Sequence, residues 1–499
     1  MSSFDELCQH VRQTALLQST ESLLAWDQQT YMPPAGGDYR AEQMSCLAGL
    51  IHQRRTDQRL GALLGELASG PLLADVHGDT ATTIRQLKRD YDKQIKLPQT
   101  LVEELTRASV LGQQAWIEAR KNNDFASFAP HVEKLFGLKR QQAEALGYAE
   151  HPYDALLDEF EPGAHTAEVA AVLAALRTDL VPLVQGILNS SRRPDTSILE
   201  RHFPRSAQEA FGRAAAAAIG FDFQRGRLDV THHPFCQELG PHDCRITTRY
   251  DEQFFPSALF GTLHEAGHGI YDLGLRPDWY GLPPGSYVSL GIHESQSRMW
   301  ENLVGRSQSF WRHFFPKLKD VFPAIADVSP EAFFFAINAV QPSLIRVEAD
   351  EATYNLHIII RFELEQALLT ADLPVADLPT AWREKYQKYL GIEPPNDADG
   401  CLQDIHWSAG LIGYFPTYSL GNLYASQFYE QADKELGGLD KQFALGEFLP
   451  LRDWLNKNIH QRGQCYTASQ LAQLVTNKPL SHAPLMRHLQ SKLQPLYGL

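Results

Sequence analysis

Along most of this chain the apolar residues recur every three or four positions. That period is the strongest constraint on the fold. It lines one face of an α-helix, whereas in a strand it would scatter apolar groups over both faces. Leu60, Leu63, Leu64 and Leu67 form one such stripe. The helical segments are punctuated at Pro33 to Gly37, Ser69 to Pro71, Leu97-Pro98, Pro152 and Glu161 to Gly163. Proline cannot continue a helix and glycine readily ends one. Alanines 214 to 218 favour helix, and Gly220 follows as the stop. No fixed-period repeat and no low-complexity linker interrupts the 499 residues. The pattern predicts a mainly α protein, a single large helical domain over 1–499.

One region departs from the period. Leu228 to Phe235 and Cys244 to Tyr250 carry β-branched residues in alternation, separated by Glu238 to Asp243. Residues 225–250 are therefore expected to form a small antiparallel hairpin or sheet. It leads directly into a helix predicted from Pro256, with Phe255, Leu259, Leu263 and Ile270 on one apolar side.

That helix carries His264, Glu265 and His268. Residues four apart share a helix face, so both imidazoles can point at one metal ion. Glu265 projects about 100° round from His264, able to reach a water on that ion. This is the layout of a zinc peptidase, with two histidine ligands and a carboxylate base. The plainer reading is two partly buried histidines with satisfied nitrogens. A catalytic zinc needs a third ligand, and the extended pattern with a further histidine fails, because position 274 is Gly274. The other known arrangement takes a glutamate from the next helix, expected from about His293 to Arg306. Glu294 is the first choice, with His293 a rival and Glu301 the fallback. Residues 256–306 thus contain the zinc-binding helices.

Net charge is −15 with no basic block, which argues against nucleic acid as a partner. No run approaches eighteen consecutive apolar residues, so no membrane span is expected. The N-terminus lacks a basic region followed by an apolar run, and six scattered cysteines contain no Cys-x-x-Cys. Reduced thiols in a cytoplasm are the expectation.

Six motifs in order then resemble the M32 family of zinc carboxypeptidases. They are His233 to Phe235, Asp243 to Thr247, His264 to His268, His293 to Gln296, Ile345 to Asp350, and Gly400 to Trp407. Ala25 to Pro34 is similar as well, so the resemblance spans essentially the whole chain. It implies a helical domain with a deep substrate cleft that releases C-terminal amino acids from peptides, usually as a homodimer. It also implies one Zn2+ per chain, replaceable by Co2+, with Glu294 in the position of the third ligand. More distantly, Gly413 to Tyr418 is similar to the tyrosine-bearing segment of dipeptidyl carboxypeptidases.

Chemistry supplies roles for these positions. Glu265 is the expected general base, while Tyr414 and His406 are candidate donors to a tetrahedral oxyanion. A terminal carboxylate calls for a bidentate arginine, Arg346 first and Arg245 second, although either could be an ordinary ion pair. His233, Asp243, Gln403, Trp407 and Tyr418 complete the substrate candidates. Of these, Asp243 (like Asp350) is read more as an orienting group, Trp407 more as packing than as a wall of the groove, Tyr418 equally as core or catalytic, and His233 as a turn residue. Two other functions compete: an endo-acting zinc oligopeptidase, and a non-catalytic helical protein with structural metal or none.

Overall fold

A computed structural model describes residues 2–499. Helices run from Ser3–Thr30 to Ala483–Tyr497, and the chain is mainly α. Local chemistry accounts for their limits. The first helix opens on a capping box: Ser2 Oγ accepts from the Asp5 amide at 3.1 Å, and Ser2 N donates to Asp5 Oδ2 at 3.0 Å. It ends ahead of Pro33 and Pro34, which lead into a tight turn over Pro34–Gly36. The alanine-rich helix Arg205–Ile219 stops at Gly220, whose φ of 107° a side chain would resist. On Gln58–Leu67 the leucines at 60, 63, 64 and 67 are all buried, packed with Leu7 and Ile84. Each such leucine is worth about 1.5–3 kcal/mol of transfer free energy.

Contacts group the chain into two compact units. The first comprises Met1–Ile95, Asp195–Ile337 and Phe428–Lys478; the second comprises Lys96–Pro194, Asn338–Gln427 and Pro479–Leu499. Among the described residues one helix, Thr166–Asn189 in the second unit, is long and apolar enough to cross a membrane. Its stripe of Val169, Leu173, Leu176, Leu180, Leu183, Val184 and Ile187 is buried, and it packs on Tyr354–Leu369 and Ala483–Tyr497. It is read as a core helix.

The β region of the first unit is richer than a hairpin. Three strands, β1 (Gly226–Val230), β2 (Cys236–Gly240) and β3 (Asp243–Thr248), lie in the order β1-β3-β2. β2 and β3 form the antiparallel hairpin, with Cys236 opposite Ile246 and Glu238 opposite Cys244. β1 and β3, the two segments expected to pair antiparallel, instead run parallel, with Leu228 opposite Ile246. Alternation sets which face a side chain takes, not which strand lies next door. β2 and β3 both pack against the helix Phe255–Gly274, which continues the chain after the sheet. Phe255, Leu259, Leu263 and Ile270 are all buried there.

Candidate active site

The helix Phe255–Gly274 and the following Leu290–Arg298 meet closely because of one residue. A Cβ on Gly267 would stand 2.6 Å from the Gln296 carbonyl oxygen and 2.7 Å from Ser297 Cα. With only hydrogen there, the two backbones touch and the Glu294 carboxylate reaches the histidines. Its Oε2 lies 3.8 Å from His264 Nε2 and 3.5 Å from His268 Nε2. One atom from each of the three residues falls within 4.8 Å of the others. Two imidazole nitrogens and one carboxylate oxygen at that spacing are the donor set of an open tetrahedral site. The residues therefore fit a divalent ion such as zinc.

The groups behind the triad orient it. His264 Nδ1 lies 2.8 Å from Glu301 Oε2, so Nδ1 carries the proton and Nε2 keeps its lone pair for a metal. Glu301 stands on a π-helical turn, Met299–Val304, that continues the Glu294 helix. It sits behind the histidine rather than beside Glu294. Burial opposes its charge, yet Arg298 and His264 hold its carboxyl down at about 2. Arg298 Nε donates to Glu294 Oε1 at 2.7 Å, leaving Oε2 turned to the histidines. His293, the other rival, points away: its Nε2 lies 2.9 Å from Asp272 Oδ1, and its ring stacks on His268 at 4.4 Å.

The electrostatics favour a cation at this spot. Burial alone would lower His264, but Glu294 and Glu301 draw it up to about 8. Burial, reinforced by His293 and His264, keeps His268 well below its ordinary value, so its lone pair is free. Glu265 is buried and, through that burial, is pushed up to about 7. A carboxylate tuned toward neutrality is suited to take and return a proton.

Elsewhere in the first unit, Arg245 on β3 grips Asp243 with two bonds, Nε to Oδ1 at 2.9 Å and Nη2 to Oδ2 at 2.8 Å. Its guanidinium covers the buried Trp26 ring at 4.2 Å. This contact ties the N-terminal tryptophan segment to the β3 motif. His233 is exposed in the connection between β1 and β2.

A separate cluster lies within the second unit, centred on Asp404. Arg346 Nε donates to Asp404 Oδ1 at 2.9 Å, and Arg361 Nε donates to Oδ2 at 2.6 Å. Gln403 Oε1 accepts from the Arg346 amide at 2.8 Å and from Arg361 Nη2 at 2.7 Å, while its amide donates to the Leu344 and Gly400 carbonyls. Gln403 is thus fully engaged in holding this loop. Arg361, entirely buried on Tyr354–Leu369, is a participant that sequence reasoning misses, since a lone arginine in a helix reads as surface. Two guanidiniums on one carboxylate leave a surplus of positive charge. Arg346 Nη1 also donates to Tyr354 Oη at 3.1 Å.

His406 is buried in the same cluster, its Nε2 3.2 Å from Tyr418 Oη, its ring 5.4 Å from that of Tyr414. Burial pushes its pKa down to about 4, so it is neutral at working pH. Trp407 packs edge-on against Phe136 and Trp382 and donates Nε1 to Glu365 Oε1 at 2.8 Å. It is a core residue here.

A helical fold with two imidazoles and a glutamate around one point fits a metallopeptidase, and the comparisons show that class. The chain belongs to the carboxypeptidase Taq (M32) family of metallopeptidases, whose model matches residues 6–493. It is 47% identical over 507 residues to thermostable carboxypeptidase 1 of Thermus thermophilus, covering 100% of this chain and 99% of the relative. With carboxypeptidase 1 of Bacillus subtilis it shares 39% identity over 479 residues, 96% and 95% of the two chains. The crystal structure of the M32 carboxypeptidase from Deinococcus radiodurans R1 superposes with a TM-score of 0.97 at 41% identity, covering 100% of both. Membership makes this chain a peptide hydrolase of a metal-dependent class.

Proposed function

We propose that this protein is a zinc carboxypeptidase that removes C-terminal amino acids from peptides, with His264, His268 and Glu294 as the metal ligands. The observation that carries the reading is the approach of Glu294 Oε2 to both Nε2 atoms, 3.8 and 3.5 Å, with Glu301 behind His264. An ion held by His264, His268 and Glu294 would supply Lewis-acid polarisation of the scissile carbonyl. Glu265, one residue from the first ligand, would take a proton on its carboxylate from the attacking water and pass it to the leaving amine. Its elevated pKa suits both transfers. Neutral His406, with Tyr414, is assigned to steady the developing oxyanion as a hydrogen-bond donor.

Recognition of the free terminus is assigned to Arg346 rather than Arg245. Arg245 is matched one-to-one by Asp243, whereas Asp404 is shared by two guanidiniums, leaving charge for an incoming carboxylate. Endo-acting cleavage remains the second reading, because both arginines already hold aspartates. The homodimer and the cytoplasmic setting belong to the same proposal. The former is open to sedimentation analysis and the latter to cell fractionation.

One experiment tests the core of the reading. Free, amidated and N-acetylated forms of one peptide are incubated with the enzyme, with and without chelator, and products are read by mass spectrometry. Loss of single C-terminal residues from the free and acetylated forms only, abolished by chelator, is the expected result. Internal cleavage of the amidated form would replace carboxypeptidase by endopeptidase. In Glu265→Gln the rate should fall by about 10²–10⁴ with metal content unchanged.

A further inference from the structure

The sheet carries a second donor cluster that the reaction does not use. On the face of β2 and β3 that packs against Phe255–Gly274, Cys236 Sγ lies 3.4 Å from Cys244 Sγ and 3.6 Å from Asp272 Oδ2. One donor atom from each of the three falls within 4.8 Å of the others. We propose that Cys236, Cys244 and Asp272 form a second metal site, selective for a soft divalent cation such as Cd2+ or Zn2+.

The sulfur–carboxylate distance of 3.6 Å is the one such an ion would impose, and the sulfurs, at 3.4 Å, need part only slightly to share it. Two thiolates on one tetrahedral zinc stand roughly 3.8 Å apart, and a thiolate and a carboxylate oxygen roughly 3.6 Å. The register disfavours the obvious competitor, a disulfide. Cys236 is opposite Ile246 and Cys244 is opposite Glu238, so the cysteines are diagonal neighbours. Diagonal residues lie roughly 7–8 Å apart, beyond the Cα separation of about 4.4–6.8 Å that a disulfide spans. The sulfurs meet only at the tips of their side chains, which suits a shared ion better than a bond. Glu238, two residues on from Cys236 and opposite Cys244, shares their face of the sheet.

The site is sulfur-based where the peptidase centre has none, so a soft ion has a distinct preference for it. It is also linked to that centre. Asp272 turns Oδ2 to Cys236 and Oδ1 to His293, whose ring stacks on His268.

The test is a titration of the reduced, metal-loaded enzyme with Cd2+. A thiolate-to-cadmium charge-transfer band in the ultraviolet should grow and saturate at one added equivalent, and cadmium NMR should place that ion in a two-sulfur environment. The band should vanish in Cys236→Ser, weaken in Asp272→Asn and persist in Cys401→Ser. Absence of the band with both thiols reduced, or an unchanged band in Cys236→Ser, overturns the proposal. If Cys236→Ser does not fold, the cadmium resonance of the native enzyme decides: two-sulfur coordination supports the site and oxygen-nitrogen coordination refutes it. Because the peptidase ligands contain no sulfur, neither readout depends on the assignment of His264, His268 and Glu294.

Discussion

Replacing Gly267 by alanine adds one methyl group at the place where the Glu294 helix touches the His264 helix. The new Cβ would stand 2.6 Å from the Gln296 oxygen, and ordinary contact begins at 3.4 Å, so the helices must part by up to about 0.8 Å. Both neighbouring atoms are backbone, and Ser295, Gln296 and Ser297 are completely buried, so the partner helix has little room to retreat. Overpacking of this kind costs about 1–3 kcal/mol, against about 1 kcal/mol gained by replacing an interior helical glycine. The net expectation is a metal-free protein destabilised by up to about 2 kcal/mol, measured by urea denaturation with chelator present. The displaced Glu294 carboxylate should also weaken metal binding by about tenfold or more, measured by competition with a chromophoric chelator. A Gly267→Ala protein as stable as the native one, with unchanged metal affinity, would refute the argument that this contact sets the ligand geometry.

Three further outcomes are expected. Glu301→Gln removes the anion behind His264 Nδ1 and should lower metal affinity by about 10–100-fold, again by chelator competition, while Glu294 and His268 remain in place. Arg346→Ala should raise KM for free peptides by about tenfold or more, as loss of a charge-assisted pair of about 1.5–3 kcal/mol implies, with kcat changed less. An equal loss on amidated peptides would remove Arg346 from terminus recognition. Buried Glu365, bonded by Tyr153 Oη, Trp407 Nε1 and the Gly413 amide, is pushed by burial from 4.5 up to about 7. A raised folded-state pKa means its contribution is complete below pH 4.5 and is lost as pH rises through about 7, a change of about 3 kcal/mol. In Glu365→Gln that part of the pH dependence should flatten in urea melts.

Much of the centre is legible from spacing alone, since His264 and His268 share a face by helix geometry wherever that helix lies. The third donor is less so. His293, Glu294 and Glu301 all fall on the next helical segment, and only the π turn at Met299–Val304 and the direction of His264 Nδ1 separate them. Gly267 gives a faint signal, because an interior helical glycine asks for a close neighbour, but the neighbour lies 29 residues away. The β1–β3 pairing is invisible because alternation specifies faces and not partners. Arg361 is hidden for a related reason: its carboxylate, Asp404, comes from 43 residues further on. What depends on local geometry can be read from order along the chain, and what depends on encounter cannot.

The interleaved make-up of the first unit has a consequence for how the enzyme comes into being. His264, His268 and Glu294 leave the ribosome long before Phe428–Lys478, yet that late segment braces them. His460 Nε2 meets Gln296 Oε1 at 3.0 Å, and Asn456 caps the Gly274 carbonyl at 3.0 Å. A nascent chain therefore carries these three side chains before the segment that braces their helices has been made.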